Sequence, residues 1–285
     1  MLRVSGPRKQ EALVSKQPAL VAEKQEAFSF GKNWAAFIEK HFNEERVRIA
    51  REQLLAFLEL PNLAGKSFLD IGCGSGLSSL AAWEAGAAQV VSFDVDPDSV
   101  RTTERVRHMN GAPKNWRVLE GSVLDREFLA SLEPADIVYS WGVLHHTGRM
   151  WEALRNAAGC LKPGGLFFIA LYLTTPRSAH WLEVKKRYNR APAWRKRWME
   201  CHYIVRHTIV PNLIRGRNPF RLIRNYKSNR GMDFLTDVRD WLGGYPYEDA
   251  SIAEVLRFCR RELGLNLINI NPSGGMVEYL FEKPA

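Results

Sequence analysis

Phe68-Leu69-Asp70-Ile71-Gly72-Cys73-Gly74-Ser75-Gly76-Leu77 is the stretch on which the reading of this 285-residue chain turns. A short apolar run ends in a carboxylate, three glycines alternate with small residues, and a helical pattern follows over 77–85. Glycines at a strand end permit a tight turn and let the backbone approach a ligand closely. The start of the next helix offers free N–H groups to an anionic or polar ligand. Taken alone, such a loop is also what an ordinary strand-to-helix turn looks like. Its surroundings narrow the choice. A second apolar run at 89–95 carries Asp94, 18 residues beyond Gly76, where an acid can accept both hydroxyls of a ribose. Leu77 stands where a dinucleotide fingerprint requires its third glycine, and no phosphate-binding lysine follows. A nicotinamide site is therefore disfavoured and a P-loop excluded.

Outward from this loop, apolar runs and helical stretches alternate. Runs at 67–71, 89–95, 116–121, 135–141 and 165–173 are separated by helical patterns at 77–85, 97–109, 126–132 and 150–161. Upstream, a helix is expected over 43–60, with Pro61 just past its end. Pro97 suits a first helical turn, and Gly86 and Asn110-Gly111 suit helix ends. Continuously apolar strands alternating with helices indicate an α/β fold, a parallel sheet covered by helices on both faces. The alternation stops near Thr175. An amphipathic helix at 249–263 then precedes two strands at 265–271 and 276–282, joined by a turn short enough to make them antiparallel. Residues 1–27 are polar and weakly periodic, as a flexible arm would be.

Several of these segments, taken in order, resemble class I S-adenosylmethionine-dependent methyltransferases. Asp70-Ile71-Gly72-Cys73-Gly74-Ser75-Gly76 is similar to that family's motif I, and Asp94 to its ribose-binding acid. Gly121-Ser122-Val123-Leu124-Asp125 resembles the loop after the third strand. Ala135-Asp136-Ile137-Val138-Tyr139-Ser140 with Val143-Leu144-His145-His146 resembles the fourth strand and its active-site loop, and Leu161-Lys162-Pro163-Gly164-Gly165 the turn into the fifth. The likeness spans about residues 66–175 and 249–283.

The resemblance implies a Rossmann-like open sheet of seven strands, the last antiparallel, with helices on both faces and a helical insertion. It implies S-adenosylmethionine as cofactor. Its amino-acid end would meet Asp70, Gly72, Cys73, Gly74, Ser75 and Gly76, its ribose Asp94 beside Val95, and its adenine Ser122, Val123 and Asp125, with Trp141 close by. The family's N-terminal helix often lies over the cofactor, which adds Asn33 and Trp34; the alternative for Trp34 is a place in the core. The chain then divides into a flexible N-terminal arm (1–30), a cofactor-binding core with an N-terminal lid helix (31–175), a basic helical insertion or substrate cap (176–248), and the last helix with its closing hairpin (249–285).

After the fourth strand the chain reads Ser140-Trp141-Gly142-Val143. The Asn/Asp-Pro-Pro-Tyr/Phe pattern of enzymes that methylate exocyclic base amines is absent, as is the Pro-Cys dipeptide of the cytosine carbon-5 enzymes. His145-His146 follows, and histidine is the side chain best suited to proton removal near neutral pH. Small-molecule enzymes resembling the ubiquinone-pathway O-methyltransferases often carry Glu-His there. His145 stands in place of that Glu, so no carboxylate or metal role is carried over, and adjacent residues rarely point at one ion. His145 and His146 are the candidate catalytic bases; the alternative for each is a loop cap or a packing partner of the cofactor. The segment from Asp240 to Glu248 combines aromatics, acids and turn formers. It reads as a substrate-facing loop with Trp241, Tyr245 and Tyr247 as contacts, or as an ordinary connection stiffened by Pro246.

The net charge of +9 is unevenly placed. Residues 180–230 hold 14 Lys and Arg against Glu183 and Glu200, a net +12, and the rest of the chain carries −3. Trp181, Tyr188, Trp194, Trp198, Tyr203, Phe220 and Tyr226 are interleaved with those bases. Three readings compete: a solvated helical cap with its aromatics turned inward, a set of helices lying on a membrane surface or binding an amphiphile, and a patch for nucleic acid or an anionic substrate. Apolar pairs such as Ile209-Val210 and Leu213-Ile214 favour a lipid-like partner over nucleic acid.

Cys73, Cys160, Cys201 and Cys259 form no paired motif and fit a reducing cytoplasm. No apolar run approaches the roughly 20 residues of a membrane span. The expectation is methyl transfer from S-adenosylmethionine to a small or amphiphilic acceptor, at oxygen, with a His as base, in the cytoplasm and peripheral to a membrane if the basic segment docks there. The rivals are a methyltransferase of RNA or protein steered by the basic segment, and an S-adenosylmethionine-binding scaffold without catalysis.

Overall fold

The computed structural model describes residues 30–226, 234–273 and 275–285; the arm expected at 1–27 lies outside them, as do Lys227 and Arg230 of the basic segment. Two helices, α1 (Phe30–His41) and α2 (Glu44–Leu58), lead into the alternating part of the chain. There follow β1 (Ser67–Ile71), α3 (Leu77–Glu84), β2 (Gln89–Asp94), α4 (Pro97–Met109), β3 (Trp116–Glu120), α5 (Arg126–Ala130), β4 (Ala135–Trp141), a 3-10 turn at Leu144–His146, α6 (Met150–Gly159) and β5 (Leu161–Tyr172). Local chemistry sets the helix starts. Asn43 caps α2 by accepting the Arg46 N–H, Asp96 caps α4 with Pro97 in its first turn, and Ser251 and Glu254 form a capping box on α12 (Ile252–Arg261). Strand β5 begins four residues before the expected start at Gly165. Leu161 already pairs with Ala135, and a register shift then absorbs the Pro163-Gly164 turn.

The sheet order is β3-β2-β1-β4-β5-β7-β6, with β6 (Asn266–Ser273) at one edge and β7 (Met276–Glu282) running antiparallel between β5 and β6. The first five strands are parallel. Helices cover both faces, and each face has its own core. One contains Leu69, Val138 and Phe167 against α6 and α12; the other contains Phe68, Val90 and Ile137 against α2, α3 and α4. The chain steps outward from β1 toward β3 on one side and toward β5 on the other. The carboxyl ends of β1 and β4 therefore open a crevice at the switch point, where open α/β sheets bind ligands.

Between β5 and α12 lie α7 (Ser178–Arg190), α8 (Ala193–Ile204), a π turn (Val205–Ile209), α9 (Val210–Ile214), α10 (Pro219–Arg224) and α11 (Phe234–Gly243). Helix α11 corrects one expectation. Residues 240–243, read as the start of a loop, are its last turn, because Phe234, Val238 and Leu242 recur at i, i+4 and i+8 and bury together with Tyr188. The loop proper begins at Gly244.

Candidate active site

A cavity of about 1220 Å³ opens at the carboxyl ends of β1, β2 and β4 and runs up to the helices of the basic segment. Single small-ligand sites occupy roughly 300–1,000 Å³, so the space exceeds that of one such site. The first half is built by the glycine loop. Gly72 takes φ 77°, and a Cβ there would sit 2.5 Å from Val143, so the β1 loop and the β4 loop close on each other only with glycine at this point. Gly72 and Cys73 N–H both donate to Phe93 O, at 2.8 and 3.1 Å. Gly74 N–H donates to Asp94 Oδ2 at 3.0 Å, and Asp96 N–H donates to Asp94 Oδ1 at 2.9 Å. Asp94 thus ties the two loops together at the cavity wall, beside the exposed side chain of Val95. Trp34 lies against Gly74, and its ring forms part of the wall.

Asp70 is held from behind by a relay the sequence did not announce. Trp116 Nε1–H donates to Ser92 Oγ at 2.8 Å, Ser92 donates to Ser79 Oγ at 2.7 Å, and Ser79 donates to Asp70 Oδ2 at 2.5 Å. The relay links β3, β2, α3 and β1 and fixes the carboxylate at the cavity floor. Burial pushes the Asp70 carboxyl up to about 7 and Asp94 up to about 6. A cationic ligand group beside them would reverse that cost. Burial likewise raises the Cys73 thiol, which accepts from Thr103 Oγ1 at 3.2 Å, so this cysteine packs the loop as a neutral group. Helix α1 crosses the opening: Gly31 N–H donates to Asp96 Oδ2 at 2.9 Å, and Phe30 lines the cavity. The side chain of Asn33 lies outside the described residues.

The expected adenine residues are placed differently. Ser122, Val123 and Asp125 do not line the cavity. Val123 is buried in the core, Ser122 Oγ accepts the Leu124 N–H, and Asp125 caps α5 by accepting from Glu127 and Phe128 N–H at 3.0 and 3.1 Å. The physical reason for the placement of Asp125 is local. A carboxylate immediately before a helix binds that helix's free N–H groups first.

The two histidines are separated by a single residue step and by their surroundings. His145 is completely buried, its ring 3.9 Å from that of Tyr172, and neither ring nitrogen has a hydrogen-bond partner. Burial drives it well below the ordinary histidine range, and its place in the core matches the packing alternative the sequence left open. His146 lines the cavity. Its Nδ1 lies 2.6 Å from the Pro246 carbonyl, which can only accept, so Nδ1 carries the hydrogen and Nε2 keeps its lone pair. Burial lowers His146 to about 3, which keeps it in the free-base form throughout the neutral range.

The loop beyond Gly244 is stapled to this turn. Glu248 N–H donates to His145 O at 3.0 Å, and Glu248 Oε2 accepts the Met150 N–H that starts α6 at 2.9 Å. From the other side, Lys185 Nζ donates to Trp241 O and Asn189 Nδ2 donates to Gly243 O at 2.7 Å, so α7 clamps the end of α11. Lys185 itself is buried among the rings of Tyr172, Trp241 and Tyr247, and burial lowers it to about 7. Trp241 and Tyr245 line the cavity as expected. Tyr247 does not. It lies behind the wall, its ring 5.3 Å from Tyr172 and its hydroxyl donating to Asp249 at 3.1 Å.

Gly244 was not singled out by any sequence pattern, yet it sets the position of His146. A Cβ on it would lie 2.6 Å from His146 Cε1 and 2.9 Å from Asp240 O. Gly244→Ala is expected to push the imidazole off the Pro246 carbonyl and to lower kcat ~10–100-fold, with ligand affinity at the glycine loop unchanged. Steady-state kinetics beside calorimetry checks this; an unchanged kcat would detach Gly244 from the site.

The second half of the cavity is aromatic and acidic. Tyr139, Trp141, Phe168, Tyr203 and Tyr226 line it together with Asp237, Asp240 and Glu278. Trp141 Nε1 donates to Glu278 at 2.7 Å and Tyr226 donates to Asp237 at 2.8 Å. The basic segment thus turns Tyr203 and Tyr226, and none of its described arginines, toward the cavity, while the acids come from α11 and β7.

Comparison with known proteins agrees with this architecture. A family model described as "Methyltransferase domain" matches residues 40–218. The chain is 37% identical over 103 residues to a tRNA U34 carboxymethyltransferase of Methylococcus capsulatus, covering 36% of this chain and 31% of that protein. It is 34% identical over 118 residues to a ubiquinone biosynthesis O-methyltransferase of a Methylobacterium species, covering 41% and 45%. The chain therefore spans less than half the length of either relative. Among solved structures, magnesium protoporphyrin IX methyltransferase from Synechocystis with bound SAH superposes with a TM-score of 0.55 at 12% identity, over 93% of this chain and 99% of that one. An O-methyltransferase family protein from Burkholderia thailandensis gives 0.54 at 16% identity, over 97% and 70%. These structural likenesses concern the fold.

Proposed function

The chain belongs to the family of methyltransferase domains, and from that premise we propose that it transfers a methyl group from S-adenosylmethionine to the hydroxyl of a small amphiphilic acceptor. The observation that carries the acceptor chemistry is His146, whose Nδ1–H is committed to Pro246 O and whose Nε2 is left as the proton acceptor on the cavity wall. The residues of the first half fit the cofactor. A glycine cradle, the Asp70 and Asp94 carboxylates and the start of α3 suit a ligand with a positive charge, a ribose and an amino-acid end. When bound, S-adenosylmethionine supplies an electrophilic methyl carbon on a positively charged sulfur.

The chain's own groups do the rest. The aromatic walls hold the acceptor and exclude water, which raises the effective concentration of the reacting oxygen. His146 Nε2 would take the hydroxyl proton as the oxygen–methyl bond forms and the methyl–sulfur bond breaks, giving an ether, S-adenosylhomocysteine and an imidazolium. Asp237, Asp240 and Glu278 stand on the wall of the same cavity. The same acids oppose a phosphate backbone in the cavity, which weighs against RNA as acceptor.

The test is turnover with a panel of phenols, quinols and long-chain alcohols, RNA and protein run alongside, with S-adenosylhomocysteine as the readout and mass spectrometry of the product. An O-methylated amphiphile is expected. Methylation confined to RNA or protein would overturn the acceptor class, and absence of S-adenosylmethionine binding would overturn the cofactor.

A further inference from the structure

The basic segment has two faces with different chemistry. Its inner face packs Tyr188, Phe234, Val238 and Leu242, with Trp181 and Tyr226, over the cavity. Its outer face leaves large apolar side chains in water: Trp194 is 72% exposed, Trp198 62%, Ile214 80% and Phe220 68%. Of the exposed large hydrophobics among the described residues, most fall within 194–222. Trp194 and Trp198 stand one turn apart on α8, and Val210, Leu213 and Ile214 recur at i, i+3 and i+4 on α9. Around them stand exposed Arg195, Arg197, Arg206, Arg215, Arg217 and Arg221. The single acid in 190–226 is Glu200, which is buried and bonded to Tyr188 and Arg239.

We propose that the outer face of residues 194–222 docks the protein on the surface of an anionic lipid bilayer. An apolar patch rimmed by arginine fits the interface, where rings and aliphatic chains reach the acyl boundary and guanidinium groups meet anionic headgroups. A second copy of the chain is a poor occupant, since the face would meet its own positive charge. Nucleic acid would satisfy the arginines and could stack on the tryptophans, but it offers nothing to Leu213, Ile214 and Val210. No helix among the described residues is long and apolar enough to cross a membrane, so attachment is lateral. Leu222 joins the two faces, being both exposed and part of the cavity wall. An acceptor dissolved in the bilayer therefore meets the wall of the cavity that His146 also lines.

Docking needs no turnover, so its test is separate from that of the methyl-transfer reading. The full chain is floated with vesicles of phosphatidylcholine alone and of phosphatidylcholine mixed with phosphatidylglycerol, at rising salt. Binding to the mixed vesicles, weakened by salt and absent from the neutral ones, is expected. Arg195→Gln with Arg197→Gln should weaken it about fivefold per arginine. The pair Trp194→Ala and Trp198→Ala should weaken it about tenfold at fixed salt, with S-adenosylmethionine binding and circular dichroism of every variant unchanged. Equal binding to both vesicle types, or no loss in the tryptophan pair, overturns the proposal. So does tight binding of single-stranded RNA by a chain that ignores both vesicles.

Discussion

His146→Ala is expected to lower kcat of methyl transfer ~10²–10⁴-fold, the usual contribution of one positioned base, while leaving the dissociation constant for S-adenosylmethionine unchanged. The reason is positional. His146 is on the cavity wall, and its ring touches Phe30 and Pro246, not the glycine loop. His145→Ala should behave differently. That ring fills space beneath Tyr172, so its loss opens a cavity and lowers the melting temperature, with the effect on kcat following only from the weakened turn. The pH profile separates the roles further. His146 sits near 3, so it is already a free base at pH 5 and imposes no acid limb between pH 5 and 9. Asp94 and Asp70, raised to about 6 and about 7, do titrate in that window. Their charged forms, which favour a cationic ligand, are present above those values and lost below them. Cofactor affinity should therefore rise from pH 5 to 8 and then level, while kcat at saturating cofactor stays flat. An acid limb in saturated kcat that disappears in the His146 variant would sink this assignment.

Asp94→Ala should weaken S-adenosylmethionine binding by at least ~100-fold. Two backbone N–H groups, of Gly74 and Asp96, donate to this one carboxylate, and hydrogen bonds to a charged group contribute about 1.5–3 kcal/mol each. Removing them frees the glycine loop and the start of α4 together, and also removes the proposed ribose acceptor. Asp94→Asn is the informative companion, because it keeps one acceptor oxygen and loses the other along with the charge; its affinity should fall between wild type and the alanine variant. Asp125→Ala should leave affinity unaltered and cost about 1 kcal/mol of stability, since that carboxylate is committed to α5. Titration calorimetry and thermal melts distinguish these outcomes. Unchanged affinity in Asp94→Ala would remove the acid from the cofactor site, and a large loss in Asp125→Ala would restore the sequence-based adenine assignment.

Much of the site was legible because it is local. The glycine loop, Asp70 and Asp94 are set by strand ends and helix starts, whose signals lie within a few residues of each other, and the structure brings them together at one wall. Trp34, Trp141, His146, Trp241 and Tyr245 also line that cavity, from segments far apart in the chain. What sequence patterns missed is second-hand support: Ser79 and Ser92 behind Asp70, and Gly244, Pro246 and Glu248 around His146. A serine on an apolar helix face or a glycine after a helix carries no signal of what it will touch.

The periodicities of the chain were enough to establish a parallel sheet with a closing antiparallel strand, because alternation of apolar runs and helices is a property of neighbours in sequence. They also located the +12 segment and separated it from the rest. They left His145 and His146 equivalent, since adjacent residues share one local context. Only the packed structure distinguishes them. The 3-10 turn at Leu144–His146 sends the first ring under Tyr172 and the second against a carbonyl 100 residues away. The two faces of the basic segment were decided in the same way. Which aromatic rings are packed and which stay in water depends on which side of α7 and α8 meets α11, and that contact lies between residues no local pattern connects.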